Sequence, residues 1–319
     1  MRFLLLSFLF LSLTAYPQVN IQSLSESSLL RMLKAQKAVS GLVIVKEIAT
    51  GKEIALAGYT AEKRKNGQQD YLTDTLLFDA LIEPGALIMP ISAAILMDHF
   101  GVTLADTVDL EGGSTVIDGF KVFDSERYSE QNVSLNSVIS LSSNVGIAKL
   151  TSKYLEFDSN LYLNSLKKYI GTNKSIPPEF KSKSNLAFAS FGYGLMLSPS
   201  QILKFYERVG KNDSALFNNA NTLIQTKKAL LKVTKEGTAQ GLMIDSEVDM
   251  GIKTATTLAL DKNGYKSKQY FASIVGYAPF DNPKYACIVI IKCRPNASQY
   301  YGATVAGPVF KEIMNQLSK

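Results

Sequence analysis

The sequence predicts one mixed α/β domain, α+β in detail, with a single sheet assembled from both ends of the chain and a helical subdomain inserted between them. Two observations carry this reading. Apolar, β-branched runs lie near the two ends, GLVIVKEIA and EIALAGY early, FASIVGYAPF and KYACIVIIKC late. Helical periodicity fills the stretch between them, punctuated by Gly, Pro and Asp. Composition agrees: 46% hydrophobic and 19% charged residues in 319 positions supply a core and exclude a disordered chain.

Taken in order, residues 1–20 read MRFLLLSFLFLSLTAYPQVN. Arg2 supplies a short positive start and Phe3 to Ala15 an apolar run below the ~20 residues of a membrane span, so residues 1–17 read as an export signal, with no clear A-x-A cleavage site. The body, 22–319, reads as one domain, its sheet drawn from about 22–70 and 236–319 and its helical subdomain from about 75–235. Ser23 to Ala38 has helical period with a Ser cap. Two strands then flank Thr50-Gly51-Lys52 as a hairpin. Residues 61–75 are polar and read as a loop. Residues 86–100 are apolar nearly all round, which marks a buried helix. Its start falls near Ala86 or Leu87, because Pro90 is tolerated only in a first turn, and Gly101 stops it. Residues 109–132 form a long excursion, and helical period returns from Ser134 to Tyr154. Residues 160–235 are helical with breaks at Pro177-Pro178 and Pro199. Asp281-Asn282-Pro283 turns between the last two strands, and Ala303 to Leu317 closes the chain as a helix.

Several functions are set aside by the same reading. The lysines behind the formal charge of +6 are scattered, with no basic, aromatic-interleaved stripe for nucleic acid. FGYG lacks the lysine and the strand-to-helix setting of a phosphate loop. Cys287 and Cys293 flank IVIIK; as a strand this run holds them about 20 Å apart. A disulfide needs Cα atoms within about 7 Å, so two free thiols are expected. Neither a metal nor a cofactor is implied. Asp98-His99 contains the single histidine at a helix end, where a structural role is expected. Tyr300-Tyr301-Gly302 reads as the junction of the last strand and helix, and Ser92 as a packing residue.

Four stretches in a fixed order carry a resemblance. EPGALIMPIS (83–92) resembles the EPGS-x-x-K-P-I segment of the class B penicillin-binding proteins, the serine DD-transpeptidases that cross-link peptidoglycan. SSNVGIAKL (142–150) is similar to their S-x-N element, FGYGLMLSPSQI (191–202) to their G-Y-G segment, and GIKTATT (251–257) to their K-T-G-T strand. VGYAPFDNPKYACIVII and YYGATVAGPVFKEI extend the likeness to the C-terminal region. The resemblance implies the penicillin-recognising serine-transpeptidase fold, an antiparallel sheet flanked by helices. In that family a serine at a helix start attacks a D-Ala-D-Ala stem or a β-lactam, and a lysine one turn on takes its proton. Backbone N–H groups polarise the carbonyl.

This chain departs where the chemistry resides. Ala86 stands at the serine position and Met89 at the lysine position, so no catalytic pair is expected. Ser142, Asn144, Lys253, Thr254 and Thr256 match the motif and form the expected binding set; Ala255 replaces the glycine. A lysine left alone in a dry pocket is costly, whereas methionine fills the space. The resemblance therefore implies a catalytically inactive homologue in peptidoglycan biogenesis, a periplasmic protein peripheral to the membrane at most. It would act as a scaffold or regulator among cell-wall synthesis and division proteins, or bind stem peptides or β-lactams without bond formation. The alternative is an active acyltransferase that uses Ser142. Family members place a further domain and an anchor before the transpeptidase domain; here the signal leads almost directly into it, which adds an expectation of a soluble accessory role.

Overall fold

A computed structural model describes residues 20–65, 67–126, 132–156, 158–172, 174–260 and 264–319. The export signal expected over 1–17 lies outside them. In chain order, α1 (Ile21–Gln36) leads into β1 (Ser40–Glu47), β2 (Glu53–Lys63) and β3 (Gln69–Thr73). A 3-10 turn, Gly85–Ile88, runs into α2 (Met89–Phe100). Short strands follow: β4 (Thr107–Asp109), β5 (Ser114–Ile117), β6 (Phe120–Phe123) and β7 (Asn132–Ser134). Helices α3 (Leu135–Leu141), α4 (Asn144–Leu155), α5 (Ser159–Ile170), α6 (Lys183–Ser190), α7 (Pro199–Gly210), α8 (Ala220–Glu236) and α9 (Gln240–Met243) come next. The chain finishes with β8 (Gly251–Leu258), β9 (Tyr270–Ala278), β10 (Tyr285–Lys292), α10 (Gly302–Val305) and α11 (Gly307–Leu317).

The large sheet has strand order β3-β2-β1-β10-β9-β8 and is antiparallel throughout. Its centre joins the two ends of the domain, β1 to β10, from Ser40↔Lys292 to Glu47↔Tyr285. Both faces are covered. Gly41 of β1 lies under Leu33 of α1, while Tyr277 of β9 lies under Gly210 of α7. Gly41 pairs with Ile291 and Tyr277 with Ala286 on the same strand, an odd separation, so α1 and α7 occupy opposite faces. Burial on both sides is why GLVIV and CIVII read as unbroken apolar runs rather than alternating ones. α11 packs on α1 and on β10, completing one outer layer.

Three expectations need correction, and one helical stretch proves to be divided. Residues 61–75 are not simply a loop: β2 continues to Lys63, and Gln69–Thr73 is the edge strand β3. Only Tyr71 of that strand is buried, its hydroxyl bonded to the Leu33 and Ala38 carbonyls at 2.7 and 2.9 Å, so the strand hides in a polar sequence. The helical stretch from Ser134 to Tyr154 is divided into two helices. Ser142 adopts a left-handed conformation (φ 61) and the Ser143 hydroxyl starts α4 by accepting the Gly146 N–H at 2.9 Å. Helix α1 is capped by Asn20, which accepts the Ser23 N–H at 3.1 Å, not by a serine. Pro199 opens α7 instead of breaking a helix, with Ser198 and Gln201 capping each other's backbone.

The excursion at 109–132 contains the hairpin β5–β6, turned at Asp118-Gly119, where both φ values are positive (52 and 79). Both cysteines are buried free thiols; burial pushes Cys293 up to about 11. No helix among the described residues is long and apolar enough to cross a membrane.

Candidate functional site

Two segments meet backbone to backbone at the entrance of α2, and β8 closes on them through the Thr257 side chain. Ile82 and Leu197 exchange N–H···O bonds of 3.0 and 2.9 Å, and the Gly85 N–H reaches the Gly192 carbonyl at 3.3 Å. Both glycines have positive φ (54 and 91). A Cβ on Gly192 would lie 2.3 Å from the Gly85 backbone, and one on Gly85 would lie 1.9 Å from Thr257 Oγ1 of β8. Sequence spacing alone did not single out these glycines, although both sit inside the quoted motifs. The turn is locked further by Glu83. This buried carboxylate accepts the Gly194 N–H at 2.7 Å and the Tyr265 hydroxyl at 2.8 Å, and burial raises its pKa despite those bonds. Glu83 and Tyr265 were missed in the sequence; the EPG tripeptide was the available signal for the first, and the second comes from a distant loop.

Ala86 lies half-buried in the 3-10 turn that packs on β8. Its methyl group has no lone pair and no acidic proton. Its N–H belongs to a first turn, where helix donors lack helical partners. Met89, the first residue of α2, is fully buried among apolar neighbours. Tyr206 holds the same turn by donating to the Leu87 carbonyl at 2.6 Å.

Lys253 is the centre of the polar floor. Its side chain is 0% exposed, yet Nζ donates to Ser142 Oγ and to the Thr254 carbonyl, the latter at 2.8 Å. Desolvation by burial pulls its pKa down to about 7. Ser142 is half-buried at the left-handed end of α3, which turns its hydroxyl toward Lys253. Thr254 shares a 2.5 Å hydroxyl contact with Thr238, whose N–H donates to the Ser140 carbonyl at 3.0 Å. Thr238 is a further site residue with no motif to announce it.

Two members of the expected set are tied elsewhere. The Asn144 amide donates to the Phe123 carbonyl of the β5–β6 hairpin at 3.1 Å, and Thr256 Oγ1 accepts the Gly302 N–H at 3.1 Å. Beside Asn144, Ser143 donates to Asp124 at 2.8 Å and the Val145 N–H reaches the same carboxylate at 3.0 Å. Burial raises the Asp124 pKa.

Among the described residues β8 pairs only with β9, so its other edge faces the site. The Thr254 carbonyl faces that edge, because Lys253 Nζ reaches it, and the Leu258 N–H faces it too, donating to the Tyr193 hydroxyl. Strand period two then places the Thr256 N–H and carbonyl on the same edge. Such an edge can take an extended peptide as an added strand.

Other candidates resolve as structure. Ser165 Oγ lies 2.9 Å from His99 Nε2, and Asp98 lies 3.8 Å from the same nitrogen. A proton relay needs the serine and the carboxylate on different ring nitrogens. Asp98 instead accepts the Asn218 and Asn219 N–H groups at 2.8 Å each. Ser92 is buried against Tyr162 and the Ser190 carbonyl, both at 2.8 Å. Tyr300 stacks between Tyr270 and Tyr301 at 4.4 and 4.8 Å. Among the described residues no three His, Cys, Asp or Glu side chains are grouped to hold a metal ion.

A helix start docked on an edge strand, with a serine-asparagine loop and a strand lysine closing the gap, defines a transpeptidase-type groove. Comparison makes the assignment specific: the chain belongs to the penicillin binding protein transpeptidase domain family, whose model matches residues 41–315. It is 27% identical over 327 residues to the probable peptidoglycan D,D-transpeptidase PenA of Neisseria flavescens, covering 92% of this chain and 79% of that one. It is 26% identical over 324 residues to the peptidoglycan D,D-transpeptidase FtsI of Escherichia coli K12, covering 92% of this chain but 54% of FtsI. The chain thus spans about half the length of that relative. The transpeptidase domain of Burkholderia pseudomallei penicillin-binding protein 3 has the same fold, with a TM-score of 0.75 over 93% of both chains at 22% identity. The FtsI4 transpeptidase domain of Legionella pneumophila follows with a TM-score of 0.69 at 20% identity.

Proposed function

We propose that this chain is a catalytically inactive transpeptidase homologue in peptidoglycan biogenesis. In this reading it works in the periplasm as a scaffold that holds stem peptides without bond formation. The observation that carries the reading is the pair Ala86 and Met89: the helix start keeps its docking on β8 while both reactive side chains are apolar. A serine hydroxyl needs a base beside it to attack a carbonyl, and here neither partner exists at these positions. Binding needs less. The open edge of β8 offers main-chain donors and acceptors along an extended peptide, and the buried Lys253 holds Ser142 and the Thr254 carbonyl in place beside that edge. The scaffold part has support of its own, since Val116 and Phe123 on one face of the β5–β6 hairpin stand 66% and 63% exposed.

One observation favours a second reading, an active acyltransferase that uses Ser142. Lys253 touches Ser142 Oγ, and near neutral pH a lysine of pKa about 7 is partly unprotonated and able to accept a proton. The two readings separate on release of D-alanine from a pentapeptide ending in D-Ala-D-Ala. The inactive reading predicts no release above buffer from wild type or from Ser142→Ala. Turnover in the wild type that disappears in Ser142→Ala would move the assignment to the second reading.

A further inference from the structure

The Ser142–Lys253 contact joins elements far apart in the chain, and it depends on one turn. Ser142 ends α3 with φ 61, a left-handed conformation that is unfavourable for serine, so packing around the turn must hold it there. Its own hydroxyl is engaged by Lys253, so the hold comes from the residues on either side. Ahead of it, the Ser140 carbonyl accepts the Thr238 N–H at 3.0 Å, and Thr238 in turn touches Thr254 of β8.

After Ser142, the next three residues are tied to Asp124, at the root of the β5–β6 hairpin. One carboxylate oxygen accepts the Ser143 hydroxyl at 2.8 Å and the other accepts the Val145 N–H at 3.0 Å, while the Asn144 N–H reaches the same group. Asp124 is itself anchored, its N–H donating to the Gly113 carbonyl at 2.9 Å across the base of the hairpin. The first four N–H groups of α4 then all have partners. Ser143 bonds to the Val138 carbonyl at 2.9 Å, and Gly146 to the Ser143 hydroxyl at 2.9 Å. The two between them, Asn144 and Val145, depend on Asp124, whose negative charge also suits the positive end of the helix. Without the carboxylate these donors lose their partner in a turn where Ser143 and Val145 are buried. The turn regains partners only by moving, and Ser142 moves with it.

We propose that Asp124 is the positioning residue of the groove floor: it fixes the 143–145 turn so that the Ser142 hydroxyl meets Lys253. The inference rests on the binding part of the function above and deepens it, because that reading places the stem peptide beside this pair. It also gives the β5–β6 hairpin a task within the groove, since the root of the hairpin sets the floor.

The test reads Lys253 in the whole chain by NMR of isotope-labelled lysine, its signal identified by its absence from Lys253→Met. The wild-type titration midpoint is expected at about pH 7. Ser142→Ala takes the hydroxyl away from Nζ and should move that midpoint. Asp124→Ala should move it in the same direction by at least about half as much, and the double variant should match Ser142→Ala alone, because one change acts through the other. Asp124→Asn keeps the shape and one carbonyl acceptor; it should give a smaller shift of the same sign, and it decides the matter if Asp124→Ala does not fold. Asp158→Ala removes the cap of α5, in the same subdomain, and should leave the midpoint in place. An unchanged midpoint in the Asp124 variants, a shift there without one in Ser142→Ala, additive shifts in the double variant, or an equal shift in Asp158→Ala would overturn the proposal. A pentapeptide ending in D-Ala-D-Ala should bind Asp124→Ala severalfold more weakly than wild type, and equal affinities would overturn it too. No binding by the wild type would defeat the binding reading instead, and the Lys253 titration would still decide the role of Asp124.

Discussion

Lys253 is a lysine held wholly out of water with a hydroxyl and a carbonyl as its bonding partners. Its pKa falls from 10.5 to about 7 because burial penalises the charged form. In the unfolded chain it returns to about 10.5, so between these values the unfolded state binds more protons than the folded one. Stability therefore rises with pH through that window, and the full penalty is present below it. Urea denaturation between about pH 6 and 9 should show a rise approaching 1.4 kcal/mol per pH unit above about pH 7. Lys253→Met should flatten the rise, and a rise of equal slope in that variant would remove Lys253 as its source. On the proposed reading, the methionine at position 89 follows the same physics. A site with one buried, carboxylate-free ammonium group already carries this penalty, and methionine at 89 adds volume without another.

The entrance to α2 shows what the elements require of one another. Gly192 lies so close to the Gly85 backbone, and Gly85 so close to Thr257, that no side chain fits at either, while Gly101, which ends the same helix with φ 66, faces open space. Gly192→Ala should cost about 3 kcal/mol or more, because a backbone must move. Gly101→Ala should cost only about 1–2 kcal/mol, the left-handed penalty alone. Equal losses in chemical denaturation would contradict this packing. The same elements show how far the sequence could be read. β1, β2, β9 and β10 were legible because burial leaves apolar runs. β3 was not, because an edge strand with one buried tyrosine looks polar. The break between α3 and α4 was hidden as well: Ser142-Ser143 contains neither Gly nor Pro, and the turn depends on a left-handed serine followed by a serine cap. Motif spacing picked out Ala86, Met89, Ser142 and Lys253, but it carries no direction. The hydrogen bonds of Asn144 to the hairpin and Thr256 to Gly302, and the arrival of Thr238 and Tyr265 from remote loops, depend on tertiary packing.

Across the molecule, one sheet closed by the two ends of the domain supplies a rigid edge, and the helices between those ends present a groove to it. On the proposed function, this groove persists while its covalent chemistry has been removed. Intact-protein mass after incubation with a reactive β-lactam tests that claim most directly, with wild type and Ala86→Ser/Met89→Lys side by side. The account predicts an unchanged wild-type mass and one added β-lactam on the double variant. A wild-type adduct, with Ser142 the first position to map, would contradict the loss of chemistry, and no adduct on either protein would contradict the retained groove.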